Sequence, residues 1–253
     1  ALGINLRCQH LSWYTMEGEA KRDYPASIHY QSPWAPHYRK VEDYFARINA
    51  AMDHGHEVRD VLVLHPIETI WGLDPRDSEA LDGQITAMQA LRDALLTANI
   101  DFDYGNEEIL ARHGAVADSR LQVAEADYAA VIVPSVATLR ASTLDLLRRF
   151  AEAGGQVVFL APVPARVDAE ASDAPKAFSA SCQVVEQLSD AVNAVAPTGR
   201  RVSICGPDGT EIGPVLYLLC EDDAEYRLFV CNTSQPLEGP TQQEPFVRER
   251  TLD

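Results

Sequence analysis

The residues best suited to chemistry fall in two groups. The first is His65-Pro66-Ile67-Glu68 with Trp71, directly after the apolar run Val61 to Leu64. An imidazole and a carboxylate three residues apart can share one site, with Pro66 holding the turn. In open α/β sheets ligands gather at the carboxyl ends of strands, which is where this tetrapeptide falls. The plainer alternative is a polar loop packed by Trp71. The second group is irregular and aromatic: His10, Trp13, Tyr14, Glu17, Lys21, Arg22 and Asp23, followed by Tyr24, Tyr30 and Trp34. Indole and phenol faces suit sugar rings, and adjacent Lys, Arg and Asp suit hydroxyl groups. The same aromatics could instead fill a joint between two domains.

Nucleophiles and metal sets are missing from the sequence pattern. The five cysteines (Cys8, Cys182, Cys205, Cys220, Cys231) show no paired spacing of the kind a zinc site needs. Cys182 is expected at a helix start, where a thiolate would be favoured, but a half-buried helix residue is the simpler reading. Cys205, Cys220 and Cys231 fall in expected strands and read as core. There is no Walker A loop, HExxH, GxSxG elbow or GxGxxG after a strand. No catalytic residue, metal or cofactor is therefore assigned.

The elements that would position these groups follow from periodicity. Pro36 opens a helix with Val41, Tyr44, Phe45, Ile48 and Met52 on one stripe, and Gly55 sits at its expected end. Strand and helix then alternate. Strands are expected at Val61–Leu64, Ile100–Tyr104, Tyr128–Val133 and Gln156–Leu160, with helices near 78–98, 107–112, 143–153 and 180–195. Such alternation implies a parallel sheet of four to five strands with flanking helices. Residues 161–177, rich in Ala, Pro and Asp, are expected to wander over the surface. After Pro197 the period becomes two, and segments 201–205, 214–220 and 226–231 read as an antiparallel meander.

A net charge of −17 opposes binding to nucleic acid or to an anionic membrane. The first 60 residues nearly balance, with seven basic and eight acidic side chains, so that segment reads as a different kind of surface or one that is normally covered. No apolar run is long enough to span a bilayer, and no signal pattern is seen. Dispersed, odd-numbered cysteines suit a reducing cytoplasm. Both ends of the chain read as the middle of something longer.

Pro33-Trp34, Tyr38, Tyr44, Arg47, Gly55 and Val58-Arg59-Asp60-Val61-Leu62-Val63-Leu64-His65-Pro66 together form a pattern. It resembles the junction in large bacterial glycoside hydrolases between a TIM-barrel catalytic domain and a following α/β domain. The likeness is to the α-L-rhamnosidase type and, more distantly, to β-galactosidases with a trimerisation domain. Leu146, Phe150, Gly154-Gly155 and Val157-Val158 extend it, so that it spans about residues 10–165. The α/β part is also similar to glutamine amidotransferases, but the turn after Val133 carries Pro134-Ser135 where those enzymes place a cysteine.

The resemblance implies a barrel remnant over 1–57, a flavodoxin-like or amidotransferase-like α/β domain over 58–197, and the start of an antiparallel β domain over 198–253. It implies a non-catalytic structural and oligomerisation region of a carbohydrate-acting enzyme, inactive alone and self-associating. His10, Tyr14, Lys21, Arg22, Asp23, His65, Glu68 and Trp71 are then candidate sugar-binding residues. A free-standing sugar-binding α/β protein is the alternative, and an independent hydrolase using His65 and Glu68 is a third.

Overall fold

The computed structural model describes residues 29–212, 215–223 and 225–232, with Ile4, Leu6, Thr15 and Glu17. His10, Tyr14, Lys21, Arg22 and Asp23 lie outside the described residues, as does Trp13. The chain divides into two compact units after Val58, and Tyr217–Val230 groups with the first.

In the first unit, Pro36 starts a single 3-10 turn (Ala35–His37) that runs into helix α1, Tyr38–Met52. Its apolar stripe forms as the spacing predicts, yet no residue of the helix is buried, and Val41, Tyr44 and Phe45 stand exposed. Strand β1 (His56–Glu57) follows after Gly55, whose φ of 79° lies in the left-handed region. A Cβ there would sit 2.2 Å from the Glu221 carbonyl oxygen, so only glycine fits.

The second unit is an α/β layer structure. Its elements in order are β2 (Val61–Leu64), α2 (Ile67–Trp71), α3 (Ser78–Thr97), β3 (Phe102–Gly105), α4 (Glu107–His113), β4 (Gly114–Ala117), β5 (Arg120–Val123), β6 (Ala126–Tyr128), β7 (Ala130–Val133), β8 (Thr138–Leu139), α5 (Ala141–Glu152), β9 (Gln156–Leu160), β10 (Arg166–Val167), β11 (Glu170–Ala171), α6 (Ala174–Ser179), β12 (Gln183–Val185) and α7 (Leu188–Gly199). Five of these strands form one sheet in the order β12-β9-β7-β2-β3, with every pairing parallel. Strand alternation sends Val61, Val63, Ile132 and Val158 to one face, where Leu91 and Leu95 of α3 and Ala191 and Val195 of α7 cover them. Leu62, Leu64, Val131, Val133 and Phe159 point the other way, onto Leu147 and Phe150 of α5. Phe150 and Phe159 are wholly buried, each contributing about 2–3 kcal/mol.

Several elements differ from the pattern reading. The expected strand Tyr128–Val133 is two strands in two sheets, because β6 closes an antiparallel meander with β4 and β5 before β7 enters the parallel sheet. Residues 161–177 are not featureless; they hold the β10–β11 hairpin and α6. The helix expected over 180–195 lies at Leu188–Gly199, and β12 precedes it. Residues 201–205 make only a bridge, Cys205 to Glu211. Strands β13 (Val215–Glu221) and β14 (Tyr226–Asn232) follow among the described residues, and β13 runs antiparallel to β1.

Ion pairs fix the amino end of the parallel sheet. Buried Asp60, just before β2, accepts from Arg120 Nη2 (2.6 Å) and Arg201 Nε (2.5 Å). Burial pushes its carboxyl up, but the two guanidinium groups outweigh that and hold it below the ordinary carboxylate value. Beside it, Arg59 spans Asp101 (3.1 Å) and Asp103 (3.0 Å), and the Tyr128 hydroxyl donates to Asp103 (2.9 Å). Burial is the largest effect on Asp101 and pushes its carboxyl up.

Candidate functional site

At the opposite end of the sheet, loops after β2, β3 and β7 converge. The His65 N–H donates to the Gly105 carbonyl (2.9 Å), which extends the β2–β3 pairing by one residue. The imidazole is half-buried and meets the Tyr104 ring edge-on, with centroids 5.8 Å apart. Pro66 then starts α2, which carries Glu68, Thr69 and Trp71. Thr69 is buried, and its hydroxyl accepts from the Ala137 N–H (3.0 Å), tying α2 to the loop after β7.

Arg140 organises the polar part. Its Nε donates to Glu68 Oε1 (2.7 Å), its Nη1 pairs with Glu108, and its backbone N–H donates to Glu107 Oε2 (2.7 Å). One residue thus joins its own segment to side chains of two others, α2 and α4. Asn106 makes this possible, because its side chain caps α4 by accepting from Glu108 N–H (2.9 Å) and Ile109 N–H (3.2 Å). Glu107 is only 1% exposed. Burial pushes its carboxyl up, against the downward pull of Thr143 and Arg140. Glu108 is moved down, chiefly by Arg140 and next by Arg112.

The sequence candidates divide accordingly. His65 and Glu68 do lie at the carboxyl edge, but Glu68 is engaged by Arg140. Trp71 is 68% exposed, which speaks against a loop packed chiefly by this ring. Glu17 is exposed and its N–H donates to the Thr15 hydroxyl (3.1 Å). Sequence reasoning missed Tyr104, Glu107, Glu108 and Arg140. Position alone could have found Tyr104, Glu107 and Glu108, which lie at or just beyond the carboxyl end of β3, but no such signal marks Arg140.

Cysteine chemistry finds no footing here. Cys182 is not at a helix start; it lies in the turn between α6 and β12, with its N–H on the Ser179 carbonyl. Burial pushes its thiol up, away from the thiolate form. Cys220 is buried and Cys231 half-buried, but Cys205 is exposed and not a core residue. Among the described residues, no three His, Cys, Asp or Glu side chains group in a way that could hold a metal ion. Among them too, no helix is long and apolar enough to cross a membrane.

The fold and this edge define a mixed α/β protein built on a five-stranded parallel sheet. The chain matches no protein-family model, no curated protein and no solved structure.

Proposed function

We propose that the chain is a non-catalytic structural and oligomerisation region of a multidomain glycoside hydrolase, with a flavodoxin-like α/β domain at its centre. The parallel strands lie in the spatial order 2-1-3-4-5 when counted along the chain, which is the order of flavodoxin-type sheets. One observation carries the reading: the carboxyl edge, where such sheets place chemistry, is closed by Arg140 on Glu68 and Glu108. Glycoside cleavage needs one carboxyl free to donate a proton and another free to attack or to activate water. Neither of these two is free, and the turn after β7 carries Pro134-Ser135 rather than a nucleophilic cysteine. The exposed stripe of α1 supports the oligomeric part, since apolar helix faces on soluble proteins are usually covered.

The test is an assay of the whole purified chain on aryl rhamnosides and galactosides. No turnover is expected, and turnover abolished by Glu68→Gln would overturn the reading. A second reading, sugar binding without catalysis, is favoured by the exposure of Trp71 and Tyr104 beside His65. It requires that rhamnose or galactose shift the NMR signals of the Trp71 indole, and unchanged spectra at saturating sugar would remove it.

A further inference from the structure

We infer that β12 is a docking edge that takes up an extended basic segment of a partner protein as a sixth strand of the sheet. The inference does not depend on the glycosidase reading. Strand β12 is the last in the order β12-β9-β7-β2-β3 and pairs with β9 on one side only among the described residues. The Ala161 N–H donates to the Val185 carbonyl (2.8 Å), so Val185 faces β9. Backbone groups alternate along a strand, and the N–H and C=O of Val184 therefore point outward, away from the sheet. These are the groups an added strand would bond.

A hollow flanks this edge on each face of the sheet. One, of about 700 Å³, lies on the α7 side between Gln183, Glu186, Gln187, Asp190 and Asn193. The other, of about 620 Å³, lies on the α6 side, with Val163, Pro164, Ala171 and Val184 among its lining. Successive side chains of a strand point to opposite faces, so a docked strand would place alternate residues in the two hollows. The α7-side hollow carries Glu186 and Asp190, neither paired with a cation among the described residues, and it suits lysine or arginine. The α6-side hollow also carries Asp173 and Lys176, so its apolar part suits small apolar side chains and the basic preference rests on the α7 side. Charge also selects the occupant. A net charge of −17 on each chain opposes pairing with a second copy.

The other edge of the sheet makes the contrast. Strand β3 has Asp101 before it and Asp103 within it, both drawn to Arg59, and charges of this kind on an edge strand discourage further pairing. At β12 the outward residue is an apolar valine, 44% exposed.

The test uses the full chain and a capped ten-residue peptide of alternating valine and lysine, followed by fluorescence anisotropy. Saturable binding is expected, weakened as salt rises, together with slowed amide exchange at Val184. Val184→Pro removes the outward N–H, and proline is tolerated on edge strands, so affinity should fall about tenfold or more with the melting transition retained. Glu186→Gln with Asp190→Asn leaves the strand intact and should remove most of the salt dependence. Equal binding of an alternating valine–glutamate peptide would overturn the basic specificity. A chain that dimerises and loses the dimer on Val184→Pro would assign the edge to self-pairing and overturn the proposal. Failure of the valine–lysine peptide to bind the wild-type chain would also overturn it.

Discussion

The two ends of the parallel sheet are both built from arginine and carboxylate, yet they are built differently. At the amino end, buried Asp60 meets two guanidinium groups, those of Arg120 and Arg201, and Arg120 also pairs with Asp127. At the carboxyl end Arg140 reaches three glutamates, Glu68 and Glu108 through its guanidinium and Glu107 through its backbone N–H, while Arg112 shares Glu108. The electrostatic outcome differs because Asp60 faces two guanidinium groups directly, whereas Glu107 receives only a backbone N–H from Arg140. Cations win at Asp60 and lower its carboxyl, whereas at Glu107 burial wins and raises it. The amino end is a clamp on the strand starts. The carboxyl end holds a buried acid, Glu107, whose carboxyl burial pushes up.

The largest expected effect tests the clamp. Asp60→Ala removes the acceptor of two arginines, and the backbone beside it receives Ala129 and Ala130. A loss of about 3 kcal/mol is expected in urea unfolding at neutral pH. The pH dependence has a definite sign. A carboxyl lowered by folding contributes stability above its unfolded value of 3.8, and that contribution is lost as pH falls through the lower folded value. The gap between wild type and variant should therefore close in strong acid. A loss below about 1 kcal/mol at neutral pH would make Asp60 an ordinary surface pair.

Gly155, just before β9, tests the same end through packing. A Cβ built there would lie 2.0 Å from Cε2 of the wholly buried Phe150 ring. Gly155→Ala must push that ring out of place, and a loss of about 2 kcal/mol is expected by thermal or urea unfolding. Wild-type stability in the variant would mean that the ring can move aside without cost.

What the sequence revealed, and what it hid, follows the same division between local and distant information. Val61–Leu64 and Gln156–Leu160 were legible because each is a buried apolar run bounded by turn residues. The β4–β6 meander was not. Its turns place Asp118, Ser119 and Ala124 at positive φ, where glycine would have announced them, and nothing separates Tyr128 from the next strand. Ser179 to Ser181 looked like a helix start, yet β12 intervenes before α7 begins at Leu188. At the candidate site, His65 and Glu68 could be placed from their strand. Their ordering partner Arg140 lies 72 residues beyond Glu68, a distance that no local pattern bridges.

Glu107→Gln probes the carboxyl end and should have a smaller effect of opposite sign. The glutamine oxygen can still accept from the Arg140 N–H while no charge is buried. A carboxyl raised by folding contributes stability fully below its unfolded value of 4.5, and loses it as pH rises through the folded value. The variant should match wild type in acid and exceed it at pH above neutrality, by less than about 1 kcal/mol. Paired urea titrations at acid and slightly alkaline pH would settle the sign. A variant less stable at alkaline pH would mean that the ionised carboxylate is well compensated, and the contrast with Asp60 would disappear.

The smallest expected stability effect concerns Trp71, and its smallness is what makes it informative. The ring ends α2 at the carboxyl edge and is 68% exposed. A side chain so placed buries little apolar area, so Trp71→Ala should change unfolding free energy by no more than about 0.5 kcal/mol. If the carboxyl end only packed the fold, nothing else would change. If the rim binds sugar, the ring is a stacking face, and its removal should abolish any rhamnose- or galactose-dependent shifts at His65 and Tyr104. Stability and binding thus separate at this residue, whereas at Asp60 and Gly155 stability alone responds. A Trp71→Ala chain that unfolds several kcal/mol more easily would show the ring to be structural and return this edge to the same class as the clamp.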